Sequence, residues 1–342
     1  MKKKTAVLLV NLGSPDSPEP GDVHRYLTEF LNDPRVIDIS WLARKVLVNG
    51  IIVPLRYRKS AKLYKKLWAE NGSPLIHYGK RATQLLQERF PATNDQEVKT
   101  FLAMRYQNPS IESALTAIKK WNPDKLIVLP LFPHYASAST GSVIDKCMRI
   151  MRDLWVFPEV DFISQFWDHP GFISAFVENG KKFDISAYDH VLFSYHGLPE
   201  RHVDKVYEDL NCSNHSCEHE MNDDNRFCYK ATVYATTRAI AGELGIDKSK
   251  YSVSFQSRLG KGWIEPFSDV VIEDLAKKGA KKLLVFSPAF VADCLETIIE
   301  IGDEYQEIFH RNGGEKVELV PSLNESPTWI NALEDMVRKR ML

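Results

Sequence analysis

The chain has 342 residues, enough for two domains of ordinary size. Apolar residues make up 44% and charged residues 26%, which excludes disorder as a description of the chain. Lys and Arg total 44 against 45 Asp and Glu, so there is no global field for nucleic acid or an anionic membrane, and no nucleic-acid partner is expected.

In chain order, the first apolar run, residues 6–12, follows a short basic stretch. Its apolar core is too short for an export signal, and Asn11 interrupts it, so it reads as a buried strand and the expected location is the cytoplasm. Further short, β-rich runs follow at 99–104, 125–132, 161–166, 190–195, 251–256, 282–290 and 317–320. Most are apolar on both faces, which is how strands of a parallel sheet covered by helices read. Helical patterns lie between them. Residues 110–120 put Ile111, Ala114, Leu115 and Ile118 on one face, and residues 267–278 and 295–309 behave similarly. The alternation predicts a doubly wound α/β architecture without an internal sequence repeat. A polar Ser/Thr/Gly loop after Phe132 suggests a domain boundary. The expected division is residues 1–133 with the C-terminal helix, 323–342, as one lobe and 134–322 as the other.

In such folds ligands sit beyond the carboxyl ends of the strands, so chemistry is sought there. The first strand ends in Asn11-Leu12-Gly13-Ser14-Pro15 and the second in Arg105-Tyr106. The third leads into Ser139, Thr140 and Ser142, all capable of capping the next helix. No glycine-rich phosphate loop occurs, which counts against nucleotide chemistry. His196 stands at the end of the run 190–195 beside Gly197, where an imidazole can take up a proton or bind a metal. Gln256, Ser257, Arg258 and Trp263 bring amide, hydroxyl, guanidinium and aromatic groups together, a set suited to a flat, acidic ligand. Asp293, Glu296, Glu300 and Asp303 are three, four and three residues apart. On a helix that spacing aligns four carboxylates, able to hold a hard cation or relay protons. Cys212, Cys217 and Cys228 lie in a polar, acidic segment with His215 and His219 among them. Thiolates there suit zinc or an iron–sulfur cluster, with free thiols as the alternative.

Taken together, these segments resemble the ferrochelatases. The resemblance rests on Leu8 to Pro15, Ser194-Tyr195-His196-Gly197-Leu198-Pro199, Phe255-Gln256-Ser257-Arg258-Leu259-Gly260 with Trp263-Ile264-Glu265-Pro266, and Phe290-Val291-Ala292-Asp293-Cys294-Leu295-Glu296-Thr297. It covers nearly the whole chain. It implies two Rossmann-like lobes with parallel sheets flanked by helices and a porphyrin cleft between them. The implied activity is insertion of Fe²⁺ into protoporphyrin IX, the terminal step of haem biosynthesis. Alternatives are a chelatase using cobalt or coproporphyrin III, or a non-catalytic tetrapyrrole carrier. His196, Glu296 and Asp293 fall on the family's catalytic positions, His196 and Glu296 also serving the Fe²⁺ substrate, with Glu300 and Asp303 continuing the acidic path. Asn11, Arg105, Tyr106, Ser139, Thr140, Gln256, Ser257 and Trp263 are the substrate-binding candidates, although the loop before Trp263 is one residue shorter than usual. Residues 51–64 resemble a lip over the porphyrin, and with the apolar and basic residues from Trp41 onward the same stretch suits a peripheral membrane contact. The cysteine segment resembles one that carries an internal [2Fe–2S] cluster in some bacterial members. Those segments supply four cysteines, whereas here Glu218 stands where an adjacent cysteine is expected, leaving Cys147 as fourth candidate and His215 or His219 next.

Overall fold

The computed structural model describes residues 2–258 and 260–341, so Leu259 of the Phe255–Gly260 motif and Leu342 of the C-terminal helix lie outside the described residues. The strands are β1 (Lys3–Gly13), β2 (Gln96–Tyr106), β3 (Lys125–Pro130), β4 (Glu159–Phe162), β5 (His190–His196), β6 (Tyr251–Gln256), β7 (Lys282–Phe286) and β8 (Lys316–Leu319). They form two four-stranded sheets, ordered β2-β1-β3-β4 and β6-β5-β7-β8, and every pairing is parallel. Each expected strand has a counterpart. The ends differ by a few residues, and the runs at 125–132 and 282–290 leave the sheet earlier, at Pro130 and Phe286.

The chain divides into two compact units, residues 1–132, 137–165 and 330–342 in the first, and 133–136 and 166–329 in the second. Residues 137–165, expected in the second lobe, group with the first. The reason is local: β4 pairs with β3, and Val143, Cys147 and Met151 of the helix Ser142–Met151 pack against the β1 side chains.

In the first unit, Ala6 to Val10 are wholly buried without alternation, because β1 is an inner strand with both faces covered. Burial of each large apolar side chain there contributes about 1.5–3 kcal/mol. Ala6, Leu8 and Val10 meet Ile111, Ala114, Leu115 and Ile118, the helical face read from the sequence, now on the helix Ile111–Trp121. Gly13 ends β1 at φ +117°, and a Cβ there would lie 2.1 Å from the Tyr106 carbonyl oxygen, so close strand pairing demands glycine.

A buried carboxylate, Asp33, organises the polar end of this unit. Its Oδ2 accepts from Arg105 Nη2 at 2.5 Å, from the Tyr106 hydroxyl at 2.9 Å and from Ser142 Oγ, while Oδ1 accepts from the Arg35 backbone N–H at 2.7 Å. Burial alone would raise its pKa, but the Ser142 and Arg35 hydrogen bonds and the Arg105 charge hold the carboxyl below its ordinary value. Arg105 also donates from Nε to Ser142 Oγ at 2.6 Å. The hub thereby joins the end of β2, the segment after the helix Pro20–Leu31 and the start of the helix Ser142–Met151. Ser142 is therefore an internal strut rather than a helix cap, and that helix has no side-chain cap.

In the second unit, Leu192, Leu283 and Val285 of the sheet pack with Ile272 and Ala276 of the helix Ser268–Lys277, and with Ile301, Tyr305 and Phe309. Also here, His134 is fully enclosed, its Nε2 3.0 Å from Thr236 Oγ1 and its ring edge-on to Tyr195 and Tyr229. Desolvation pushes its pKa down to about 3, so the native imidazole is neutral.

Two predictions follow from these buried groups. Replacing Asp33 by Ala leaves Arg105 charged and unpaired in the interior, and is expected to cost about 3–5 kcal/mol, read as a lower midpoint in denaturant unfolding. For His134, the unfolded imidazole binds a proton below its ordinary pKa of 6.5 and the native one does not. Its contribution is thus present above pH 6.5 and is lost as the pH falls towards about 3. Unfolding free energy measured across that window is expected to fall less steeply in His134→Gln than in the parent, by up to about 1.4 kcal/mol per pH unit.

Candidate active site

The second sheet reverses its winding at β5, with β6 on one side and β7 on the other. The crevice outside the carboxyl ends of β5 and β7 is the place such a sheet offers a ligand. His196 is the last residue of β5, paired with Gln256 at the end of β6. It is half-buried, and its Nδ1–H donates to the Gly197 carbonyl at 2.7 Å, which leaves the lone pair on Nε2. The Tyr229 hydroxyl donates to the His196 carbonyl at 2.9 Å, and the ring of Phe290, from the segment after β7, lies 6.5 Å away, edge-on. His134 packs behind Tyr229. Gly197 has no room for a side chain: a Cβ would lie 2.8 Å from the Gln256 carbonyl oxygen and 3.3 Å from the Trp263 ring.

The acidic stripe is built on a wide-turn helix, Glu296–Tyr305, with i→i+5 hydrogen bonding. That widening changes which carboxylates meet. Residues four apart now stay in line and residues three apart diverge, so Glu296 on one side and Glu304 on the other flank Glu300. Glu300 reflects this: burial, then the charges of Glu296 and Glu304, push its pKa up to about 8, so it is protonated at neutral pH. Its Oε2 accepts from Gln256 Nε2 at 3.1 Å and from Ser257 Oγ at 2.5 Å. Gln256 also donates to the Glu296 carbonyl at 3.2 Å and accepts from Ser194 Oγ at 2.8 Å. Asp303 is exposed.

Asp293 lies outside this row. Its Oδ1 accepts from the Ser322 N–H at 3.1 Å and its Oδ2 from Asn324 Nδ2 at 2.7 Å, while Asn324 Oδ1 accepts from the Asp293 N–H at 2.9 Å. This reciprocal clamp sets the entry of the acidic helix. Trp263 is half-buried and bridged to Pro199, next to the His196 motif. Arg258 turns away: it pairs with Asp269 at 2.7 Å and covers the Phe267 ring at 4.1 Å.

In the first unit, Asn11 is buried at the end of β1, its Oδ1 accepting from the Leu12 N–H at 2.8 Å. Arg105 and Tyr106 are engaged with Asp33, and Tyr106 is wholly buried. Ser139 is half-buried, whereas Thr140 is wholly buried and its hydroxyl has no hydrogen-bond partner. The expected lip forms a short helix, Trp41–Lys45, a wide-turn stretch, Val46–Ile52, and the helix Val53–Leu67. Val48 and Val53 pack against Leu31, while Trp41, Leu42, Val46, Ile51 and Leu55 are exposed. Arg44 is turned inward onto the carbonyls of Ile37 and Ile39. Among the described residues, no helix is long and apolar enough to cross a membrane.

The cysteine segment gathers Cys212, Cys217 and Cys228, all buried, with sulfur separations of 3.5, 3.8 and 3.8 Å. Hydrogen bonding among the three sulfurs pulls the Cys228 thiol below its ordinary value. Cys147 does not join them: it is packed among Ala6, Leu8 and Val143 in the core of the first unit, where burial pushes its thiol up to about 12. His219 is exposed and His215 is turned to Asp209, 3.4 Å from its Oδ1. A [2Fe–2S] cluster takes four protein ligands, two on each iron. Among the described residues three thiols gather and no fourth donor joins their group, so the donor set does not fit that cluster.

The chain can be compared with known proteins. The family profile named Ferrochelatase matches residues 4–341. Relatives named ferrochelatase include one from Coxiella burnetii (strain CbuK_Q154), 42% identical over 99% of this chain and 94% of its own length. Another, from Legionella pneumophila (strain Lens), is 41% identical over 98% of this chain and 99% of its own. Among solved structures, SirB from Bacillus subtilis with Fe³⁺ superposes with a TM-score of 0.54 at 14% identity, covering 99% of this chain and 95% of that one, a likeness of fold. With a histidine at the end of β5, a carboxylate row after β7 and this full-length kinship, the chain belongs to the ferrochelatase family, enzymes that insert a metal ion into a porphyrin.

Proposed function

We propose that this chain inserts Fe²⁺ into protoporphyrin IX, with His196 as the base and the row Glu296–Glu300–Glu304 as its proton and metal path. The observation that carries the reading is the orientation of His196. A backbone carbonyl holds the Nδ1 proton, which presents Nε2 as a proton acceptor at the carboxyl end of the sheet. Insertion must remove two pyrrole protons and strip water from the ion. His196 takes a pyrrole proton. Glu296 serves as second base or passing ligand for the substrate ion. Glu300, protonated at neutral pH and held by Gln256 and Ser257, hands protons along to Glu304, which is exposed. Such a path suits a substrate ion that must leave: carboxylates bind a hard cation without the tight cage that would retain it. Asp293 acts through its clamp as a positioning residue rather than as an acid or base.

A planar porphyrin hides its nitrogens, so binding of the ring periphery must supply the distortion that exposes them. Trp263, beside the His196 motif, serves that periphery in this reading. The exposed apolar row from Trp41 to Leu55 suits contact with an apolar ring such as the porphyrin. The same row offers a peripheral membrane contact to a protein working in the cytoplasm. No step runs through an iron–sulfur cluster.

The test is anaerobic Fe²⁺ insertion into protoporphyrin IX followed by absorbance. His196→Ala is expected to lower kcat by about 10²–10⁴-fold while porphyrin binding, read by fluorescence quenching, persists. Full activity in a folded His196→Ala protein would overturn the assignment. Porphyrin binding without turnover in the parent would redirect the assay to cobalt or coproporphyrin III. The row itself is tested by neutral replacements. Glu300→Gln and Glu304→Gln are expected to slow insertion by less than His196→Ala does, whereas Asp303→Asn is expected to leave it unchanged. A loss in Asp303→Asn equal to that in Glu304→Gln would restore ordinary helical spacing as the guide.

A further inference from the structure

We propose that Cys212, Cys217 and Cys228 hold a single tetrahedral divalent ion, zinc by its chemistry, which clips the segment between β5 and the helix Tyr229–Glu243. The three sulfur separations are 3.5, 3.8 and 3.8 Å, a nearly equilateral triangle. A tetrahedral ion with metal–sulfur bonds of about 2.3 Å spaces its sulfurs about 3.8 Å apart, so these thiols form one face of such a tetrahedron. The triangle is too compact for a [2Fe–2S] cluster, because one iron accepts only two of the thiolates and the third would sit across the bridging sulfides. It is too open for a disulfide, whose sulfurs are about 2.05 Å apart.

The surroundings agree with a metal clip. The segment has little apolar material of its own, and Leu210 and Phe227 are exposed. Beside Val203 and Tyr207 its interior is the three cysteines with Asn225, whose side chain binds the Asn222 N–H at 2.8 Å and the Glu220 carbonyl at 2.9 Å. A polar knot of this kind is stable when a metal supplies the binding energy that burial does not. Tyr207 donates its hydroxyl to Cys217 Sγ at 2.8 Å, as an outer hydrogen bond to a ligating thiolate does. The His215 ring stacks on Tyr207 at 3.8 Å and points to Asp209, so the imidazole is turned away from the role of fourth ligand. The clip also has a bearing on the active site. Cys228 immediately precedes Tyr229, whose hydroxyl holds the His196 carbonyl, so the ion steadies the support of the catalytic base.

The experiment is metal and acid-labile sulfide analysis of the full chain purified without added metal and without oxygen. The expected result is about one zinc per chain and no labile sulfide. Cys212→Ser and Cys228→Ser are each expected to lower zinc content at least tenfold, and Cys147→Ser to leave it unchanged. Replacement of the zinc by Co²⁺ is expected to give sulfur-to-metal charge-transfer bands with a tetrahedral ligand-field spectrum. The wild-type analysis stands even where a serine variant fails to fold. Two irons with two sulfides per chain, a Cys212–Cys217 disulfide, or a metal-free protein with all five cysteines as free thiols would each overturn the proposal.

Discussion

The carboxamide of Gln256 is the joint on which the candidate active site of the second unit depends. Its oxygen accepts from Ser194 on the neighbouring strand, and its nitrogen donates both to the Glu296 carbonyl and to the Glu300 carboxyl. A buried amide that uses both ends in this way leaves no unpaired polar atom and fixes the helix against the sheet. Ser194 extends the joint inward to Ser268 and Tyr305, so the wide-turn helix is tied to the sheet at both of its ends. Holding Glu300 against the sheet desolvates it, and desolvation is the main reason the carboxyl keeps its proton at neutral pH. The acid–base character of the row is thus a consequence of packing.

Asp33 solves a related problem in the first unit by different means. There the polar ends of β2 and two helical segments converge, and one buried carboxylate satisfies Arg105, Tyr106 and Ser142 together. Neutral hydrogen bonding serves the second unit and an ion pair serves the first. Both sheets nevertheless run in the same order, with the first strand flanked by the second and third and the fourth outside the third. No sequence repeat accompanies this topological repeat. Cores accept many apolar combinations of similar volume, so two sheets of one plan need share few residues.

The wide-turn helix and the cysteine triangle are both places where local geometry redirects chemistry. In the first, an i→i+5 turn replaces Asp303 by Glu304 in the acidic row. In the second, chain folding around Asn225 and Tyr207 collects three sulfurs from a segment with little core of its own and leaves Cys147 in another core altogether.

Much of this protein was legible in its sequence. Uninterrupted β-rich apolar runs announce inner parallel strands, because only a strand covered on both faces has no polar side to show. His196 was legible for the same reason: a buried run delivers the next polar residue to the strand's carboxyl end, where ligands bind. The adjoining motifs carried the family. What tertiary structure decided is the partner of each polar group. Arg105 and Tyr106 end a strand as a binding pair would, yet Asp33, more than seventy residues away, takes them inward. Asp293 stands in the acidic spacing of the chain, and in space it is clamped to Ser322 and Asn324. Spacing assumes ordinary helical periodicity, so Glu304 was hidden until the turn width was known. Local pattern reports whether a side chain is buried, but hydrogen bonding and charge pairing are long-range in sequence, and only the folded chain brings their two ends together.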